Sequence, residues 1–152
     1  MKTLPIRCRA GDKRPIRAIA FEAADSGDAS DQNETKPRDS CPTLKFFEDA
    51  KNAFPESWLD LCAVINETAR NGPLENRQKF NFLTDGLYEL KSWKLRLICF
   101  FDDDSLIVCT HGFFKHRQET PKEEKDRAKK IRKAYYEAKK RGNLYHVQPH
   151  RQ

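Results

Sequence analysis

The sequence predicts an α+β fold: a helical hairpin packed on a small β-sheet, with a basic helix near the end of the chain. Three observations carry this expectation. Residues 87–114 read as consecutive runs of strand formers separated by tight turns. Trp58, Leu61, Cys62 and Ile65 repeat at the i, i+3, i+4, i+7 spacing of a helix with one apolar face. Residues 121–141 are dense in Lys and Arg mixed with acids, as in a solvated helix.

The first 14 residues are basic and unpatterned, and read as a flexible tail. From Pro15 onward Ile16, Ala18 and Ala20 alternate with Arg17, Ile19 and Phe21, which predicts a first strand. Residues 25–40, DSGDASDQNETKPRDS, carry almost no apolar side chain and read as a flexible insertion. Ser40 or Thr43 is then placed to cap a helix bearing Leu44, Phe47 and Phe54 on one side. Pro55 breaks the pattern and suits the first turn of a second helix, which Asn71-Gly72-Pro73 stops. The strands are expected at 87–91, 95–101 and 105–114, joined at Ser92-Trp93 and by an acidic turn around Asp103-Asp104. Thr120, Pro121 and Glu123 form a capping pattern that opens the last helix, and Gly142-Asn143 ends it. One domain over 15–141 results, with 142–152 as a C-terminal tail.

Bulk properties narrow the function. With 38% hydrophobic and 34% charged residues the core must be small and the surface highly charged. A net charge of +6 favours an anionic partner: nucleic acid, an acidic protein or a membrane surface. Cys8, Cys41, Cys62, Cys99 and Cys109 are odd in number and form no CxxC pair, which suits free thiols in a reducing compartment. The opening stretch MKTLPIRCRAGDKRP has no apolar run long enough for a signal peptide, and the longest apolar run, 97–101, is too short to span a membrane. The expected location is the cytoplasm. The chain lacks GxGxxG, P-loop, HExxH and nucleophile-elbow patterns, and its histidines lack metal-ligand spacing with the cysteines. No metal or cofactor is expected.

Strand pairing gathers a candidate site. A turn around Asp103-Asp104 sets Phe101 opposite Leu106 and Arg96 opposite His111, and a Ser92-Trp93 turn sets Lys91 opposite Lys94 and Glu89 opposite Arg96. Glu89, Lys91, Lys94, Arg96 and His111 then share one face, which Phe113 and Lys115 extend. Tyr88, Leu90, Leu95, Leu97, Cys99, Phe101, Leu106 and Val108 occupy the other, beneath the helices. A cationic sheet face with an aromatic suits RNA backbone cleavage, which needs the 2′-OH activated, the phosphate stabilised and the leaving 5′-oxygen protonated. Arg96 is the candidate phosphate clamp, Lys91 the base, and His111 or Lys115 the acid. Phe113 or Phe114 is the candidate stacking residue, with Lys94 and Arg117 as further RNA contacts. Structural roles compete throughout: Arg96 and Glu89 also suit a cross-strand ion pair, and His111 a satisfied interior histidine.

The run GLYELKSWKLRLICFFDDDSLIVCTHGFFKHRQETPKEEKDRAKK (86–130) resembles the phage-derived, HigB-like branch of the RelE/ParE toxin superfamily. The shared pattern is LYEL plus a basic residue, Arg within an apolar strand, HGF-x-K, and Thr-Pro before a basic helix. The resemblance implies a RelE-like fold, in which the hairpin packs on a twisted, mainly antiparallel sheet. It also implies a type II toxin that cleaves mRNA without metal, commonly on the translating ribosome. The implied partners are mRNA, the ribosome and a cognate helix-turn-helix antitoxin, with operator DNA reached only through that complex. The family's basic site residues carry over to Lys91, Arg96 and Lys115, and more weakly to His111. Lys91 departs from the Arg usual in this branch, the 25–40 insertion is long, and Tyr135 and Tyr136 are candidates for an aromatic important in some relatives. Two rival functions follow from the same resemblance: a non-catalytic poison of a protein such as DNA gyrase, and a degenerate prophage remnant that binds only its antitoxin.

Overall fold

The computed structural model describes residues 1–7, 9–22, 40–116 and 118–149. Most of the expected insertion, together with Cys8 and Arg117, lies outside the described residues. In chain order the elements are β1 (Lys2–Arg7), β2 (Ile16–Ala20), α1 (Pro42–Ala53), α2 (Pro55–Asn71), β3 (Phe80–Thr84), β4 (Leu87–Ser92), β5 (Leu95–Asp102), β6 (Leu106–Phe114), α3 (Lys122–Lys140) and β7 (Tyr145–His146). They build one sheet in the order β3-β4-β5-β6-β2-β1-β7. The β2–β6 and β1–β7 pairs are parallel and the others antiparallel. No helix among the described residues is long and apolar enough to cross a membrane.

Both sheet faces are covered, so there are two apolar clusters. Under α1 and α2 lie Ile16, Leu90, Leu95, Leu97, Cys99, Ile107 and Cys109 together with Phe46, Leu61 and Ile65. Under α3 lie Ile19, Leu87, Ile98, Phe100 and Val108 with Ala128, Ile131 and Tyr135. The expected single core face therefore needs correction: Leu106 and Val108 belong to the α3 side. Asp102 pairs with Leu106, so the turn spans residues 103–105 and shifts the near end of the pairing by one position from the expected one; a β-bulge further along adds a second shift and restores the parity at His111. Cys99 pairs with Cys109 but Ile98 pairs with His111, which leaves Thr110 as the extra residue on β6. One inserted residue exchanges the faces of everything beyond it, because strand side chains alternate with period two.

The chain ends also differ from expectation. Lys2–Arg7, read as a tail, is a strand paired with β2, and Thr3 is fully buried. The 142–152 tail contributes β7, whose His146 Nδ1 meets the Thr3 hydroxyl at 2.7 Å. Short strands with few apolar residues are drawn in by sheet pairing, which their own pattern does not announce. β3 was missed as well, although Asp85-Gly86 with positive φ at both residues is a typical two-residue hairpin turn.

The helices follow the expected spans with different details. α1 buries Thr43, Phe46 and Ala50, while Leu44 is exposed and Phe47 and Phe54 only half-buried. Neither Ser40 nor Thr43 caps it: Cys41 is the N-cap and makes no side-chain bond. Thr120 does not cap α3 either, since Pro121 is the N-cap and the Thr120 hydroxyl donates instead to Glu89 Oε2 at 2.7 Å. At the far end of α3 the buried Tyr135 hydroxyl donates to Asp102 Oδ2 at 2.6 Å, and Lys139 pairs with the same carboxylate at 2.9 Å. These contacts tie both ends of α3 to the sheet.

The HGF motif acquires a packing reason. A Cβ on Gly112 would overlap the Phe46 ring, so glycine lets α1 lie directly on β6. Gly112→Ala is expected to destabilise the protein by about 1–3 kcal/mol through overpacking. Chemical denaturation tests this, and wild-type stability would show that α1 does not press on β6 as described.

Candidate functional site

The hairpin registers decide what can meet at the basic face. Ser92 pairs with Leu95, so the β4–β5 turn is Trp93-Lys94 rather than Ser92-Trp93, and Lys91 sits opposite Arg96. Arg96 pairs across its other edge with Phe113, and His111 with Ile98. Each register is shifted from expectation, yet Lys91, Arg96, His111 and Phe113 still fall on one face, because the pairings keep the same parity.

α3 divides that face. His111 is fully buried beneath it, with Nε2 at 2.6 Å from Glu124 Oε2 and Nδ1 at 3.1 Å from the Thr110 hydroxyl. Burial lowers its pKa, Arg127 adds to the fall, and Glu124 partly opposes it. A neutral ring fits the carboxylate contact, with Nε2–H donating to Glu124, while Nδ1 and the Ile98 carbonyl compete for the single Thr110 hydroxyl proton. His111 is therefore an anchor for α3 and does not open on a cleft.

The open part of the face is a cleft of about 360 Å³. Asn81, Phe82 and Leu83 of β3 line one wall, Glu89 and Lys91 of β4 the floor, and Lys115, Gln118, Glu119 and Thr120 the opposite wall, with Lys125 of α3 at the rim. Lys91 Nζ donates to the Arg77 carbonyl at 3.1 Å. Backbone bonding fixes the start of the opposite wall, where the Lys115 N–H donates to the Lys94 carbonyl at 2.7 Å. Thr120 fixes its other end through Glu89.

Arg96 stands beside the cleft and is almost wholly buried. Its Nη1 donates to the carbonyls of Trp93 and Leu95, and its Nε lies 3.9 Å from Glu89 Oε1. The cross-strand ion pair weighed from the sequence thus exists, in a shifted register. Glu89 joins Arg96 to Thr120, and a buried carboxylate with both partners avoids the large penalty of an unpaired interior charge. Lys115 is the cleft lysine held below its ordinary pKa. Burial contributes most, then the Arg96 guanidinium, with Lys91 adding and Glu89 and Glu119 opposing.

Of the other predicted contacts, Lys94 is exposed at the hairpin tip, its Nζ 4.8 Å from the centroid of the Trp93 ring. Phe113 packs toward His111 and borders a separate cleft with His116 and Arg127. Phe114 faces the helical hairpin, against Phe46 and Phe54, and is remote from the basic cleft by its position on the opposite face. Tyr135 is fully buried and Tyr136 partly exposed. Thr120, Glu119, Asn81 and Lys125 were not anticipated. The Asp85-Gly86 turn would have revealed β3 and its Asn81, whereas nothing local announces that 115–120 folds back over β4.

The family described as Phage derived protein Gp49-like matches residues 52–133, more than half of the chain. The chain belongs to the phage-derived Gp49-like family. The matched region runs from the end of α1 through most of α3 and includes Lys91, Arg96, His111 and Lys115. No curated protein shows a match. Among solved structures, the YoeB–YefM complex from Staphylococcus aureus contains a chain that is 18% identical, with 49% of this chain and 88% of that chain covered at a TM-score of 0.40. A chain of the YoeB dimer from Staphylococcus aureus is 20% identical, with 51% and 91% covered at a TM-score of 0.41.

The His111 anchor makes a pH prediction. Its folded pKa is depressed, so its contribution to stability is complete above the unfolded value of about 6.5 and is lost as pH falls from there through the folded pKa. Thermal unfolding of wild type and His111→Gln between pH 8 and 5 should show a steeper acid-side loss in wild type. Parallel curves would remove the protonation of His111 as the cause.

Proposed function

We propose that this chain is the toxin of a type II toxin–antitoxin module and cleaves mRNA in the cleft between β4 and the 115–120 wall, without a metal. The observation that carries this reading is a pKa-depressed Lys115 in an open cleft with Lys91, in front of the buried Arg96–Glu89 pair. The family membership and the sequence's resemblance to the RelE/ParE superfamily support it. The ribosome as the setting and a helix-turn-helix antitoxin as the partner rest on that resemblance alone.

The chemistry requires no group from outside the chain. Neutral Lys115 takes the proton of the ribose 2′-OH, and the resulting oxyanion attacks the adjacent phosphorus. The bond to the 5′-oxygen breaks, and the Lys91 ammonium supplies the proton that the leaving oxygen needs. The products are a 2′,3′-cyclic phosphate and a free 5′-OH. Arg96 acts from behind, lowering the Lys115 pKa and adding positive potential where charge develops on the phosphate. Lys115 and Lys91 thus exchange the roles read from the sequence, and His111 has none in the reaction.

Arg96 also holds the hairpin tip, so Lys115 gives the cleaner test. Lys115→Ala is expected to keep a wild-type melting temperature and to lower RNA cleavage by about 10²–10⁴-fold. Induced expression with mapped RNA 5′ ends should show growth arrest and new ends for wild type and neither for the variant. The wild-type rate should rise with pH to a plateau set by a lysine pKa below about 10.4, a limb that the variant lacks. Growth arrest without new RNA ends would replace the nuclease reading with a protein target, and absence of arrest would favour a non-toxic remnant.

A further inference from the structure

The cleft holds more polar chemistry than bond cleavage uses. Lys91 and Lys115 are assigned to the reaction, and Glu89 is taken up by Arg96 and Thr120. Two carboxamides are left over on the facing walls, Asn81 on β3 and Gln118 on the 115–120 segment. Each offers two donors and a double acceptor. Among the described residues neither side chain has a hydrogen-bond partner, although Asn81 is half-buried. Asn is depleted in strands because its side chain bonds nearby backbone in other conformations. Asn81 lies inside a strand and makes no such local bond.

Its position relative to the cations follows from the register. Asn81 pairs directly with Glu89, so both side chains leave the sheet on the cleft face. Lys91 is two residues further along β4 on that face, which makes it the diagonal neighbour of Asn81 at about 7–8 Å. Leu83 lines the same wall and packs with the apolar cluster under α3. An unpaired base is held by hydrogen bonds to its edge and apolar contact with its face. Asn81 and Leu83 offer these two contacts one diagonal step from a cation of the cleft. Gln118 is exposed and stands on a loop, whereas Asn81 is fixed on a strand, where a reading group is held more accurately.

We propose that Asn81 reads the base next to the scissile phosphate, its carboxamide hydrogen-bonding the base edge while Leu83 contacts the ring. The proposal rests on the RNA-cleaving reading above and gives that reaction a base preference. Contacts to phosphate position a nucleic acid and contacts to base edges specify it. Loss of the Asn81 amide therefore changes which sites are cut, and cutting itself persists.

The test is induced expression of the full chain with mapped RNA 5′ ends, read as the base composition of the two nucleotides flanking each cut. Wild type should prefer some bases over others at one of these positions by about tenfold. Asn81→Ala should still cut and should flatten that preference. Asn81→Asp presents acceptors only, so it should raise cutting at guanine relative to wild type, since the Watson–Crick edge of guanine offers two donors side by side. A uniform change in rate, such as a shifted lysine pKa would cause, leaves these ratios untouched and cannot imitate the effect. The same preference in wild type and Asn81→Ala, or none in wild type, would overturn the inference and leave the nuclease reading standing. Loss of every cut in both variants would overturn it too, because Asn81 would then serve the fold or the reaction itself. If wild type produces no new ends, the RNA-cleaving reading falls and the inference falls with it.

Discussion

The extra residue on β6 is the constraint from which the two-sided architecture follows. Up to Cys109, β6 gives its odd-numbered side chains to the helical hairpin, and Val108 turns toward α3. Past Thr110 the assignment reverses, so Gly112 and Phe114 meet α1 while His111 faces α3. The Thr110 hydroxyl is within hydrogen-bond distance of both the Ile98 carbonyl and the His111 ring, which helps to satisfy polar groups that a disrupted ladder would strand. Without the bulge, His111 would enter the hairpin core as an unpaired polar ring and Glu124 would lose its partner on the sheet. The parallel β2 pairing runs as far as Cys109, immediately before the bulge, so its position also coincides with the end of that ladder.

Charge balance governs the open half of the same face. Glu89 is nearly inaccessible and lies between a buried guanidinium and the Thr120 hydroxyl. It compensates Arg96 and simultaneously fastens the wall that carries Lys115 and Glu119. Lys91 and Lys115 then line the space in front, with Lys125 at the rim. One carboxylate thus sits where two strands, a loop and the start of a helix surround a cationic cleft. Removing it would leave Arg96 as an uncompensated interior charge, a change that costs several kcal/mol in comparable buried pairs.

The sequence disclosed these features unevenly, for physical reasons. Strands β4, β5 and β6 were legible because their apolar content is continuous and their turns are short. The grouping of Lys91, Arg96 and His111 on one face survived two register errors, since each error was an even number of positions. The faces of Leu106 and Val108 were misread because the turn takes three residues, 103–105, where two or four were expected, and a run of Asp and Ser does not distinguish these lengths. β1 and β7 were missed because they owe their form to neighbouring strands. The roles of Thr120 and His111 depend on which distant groups lie opposite them, information that a linear pattern does not hold. Thr120 even offered a convincing local alternative, a helix cap, which the buried carboxylate outcompeted.

That competition bears on how the cleft works. A hydroxyl at a helix start gains about 1 kcal/mol from capping, whereas a hydrogen bond to a charged, buried acceptor is worth about 1.5–3 kcal/mol. The stronger bond wins, and the 115–120 segment is drawn down onto β4 at Thr120, as the Lys115 N–H draws it onto the Lys94 carbonyl. Lys115 is thereby held at one end of a wall fastened at both ends, close enough to Arg96 for its ammonium form to be disfavoured. A freely moving surface lysine would escape that repulsion by extending into solvent. Burial and the Arg96 charge depress the pKa, in that order, and backbone attachment holds Lys115 where both act, which makes Thr120 a positioning residue for the cleft though it carries no charge itself.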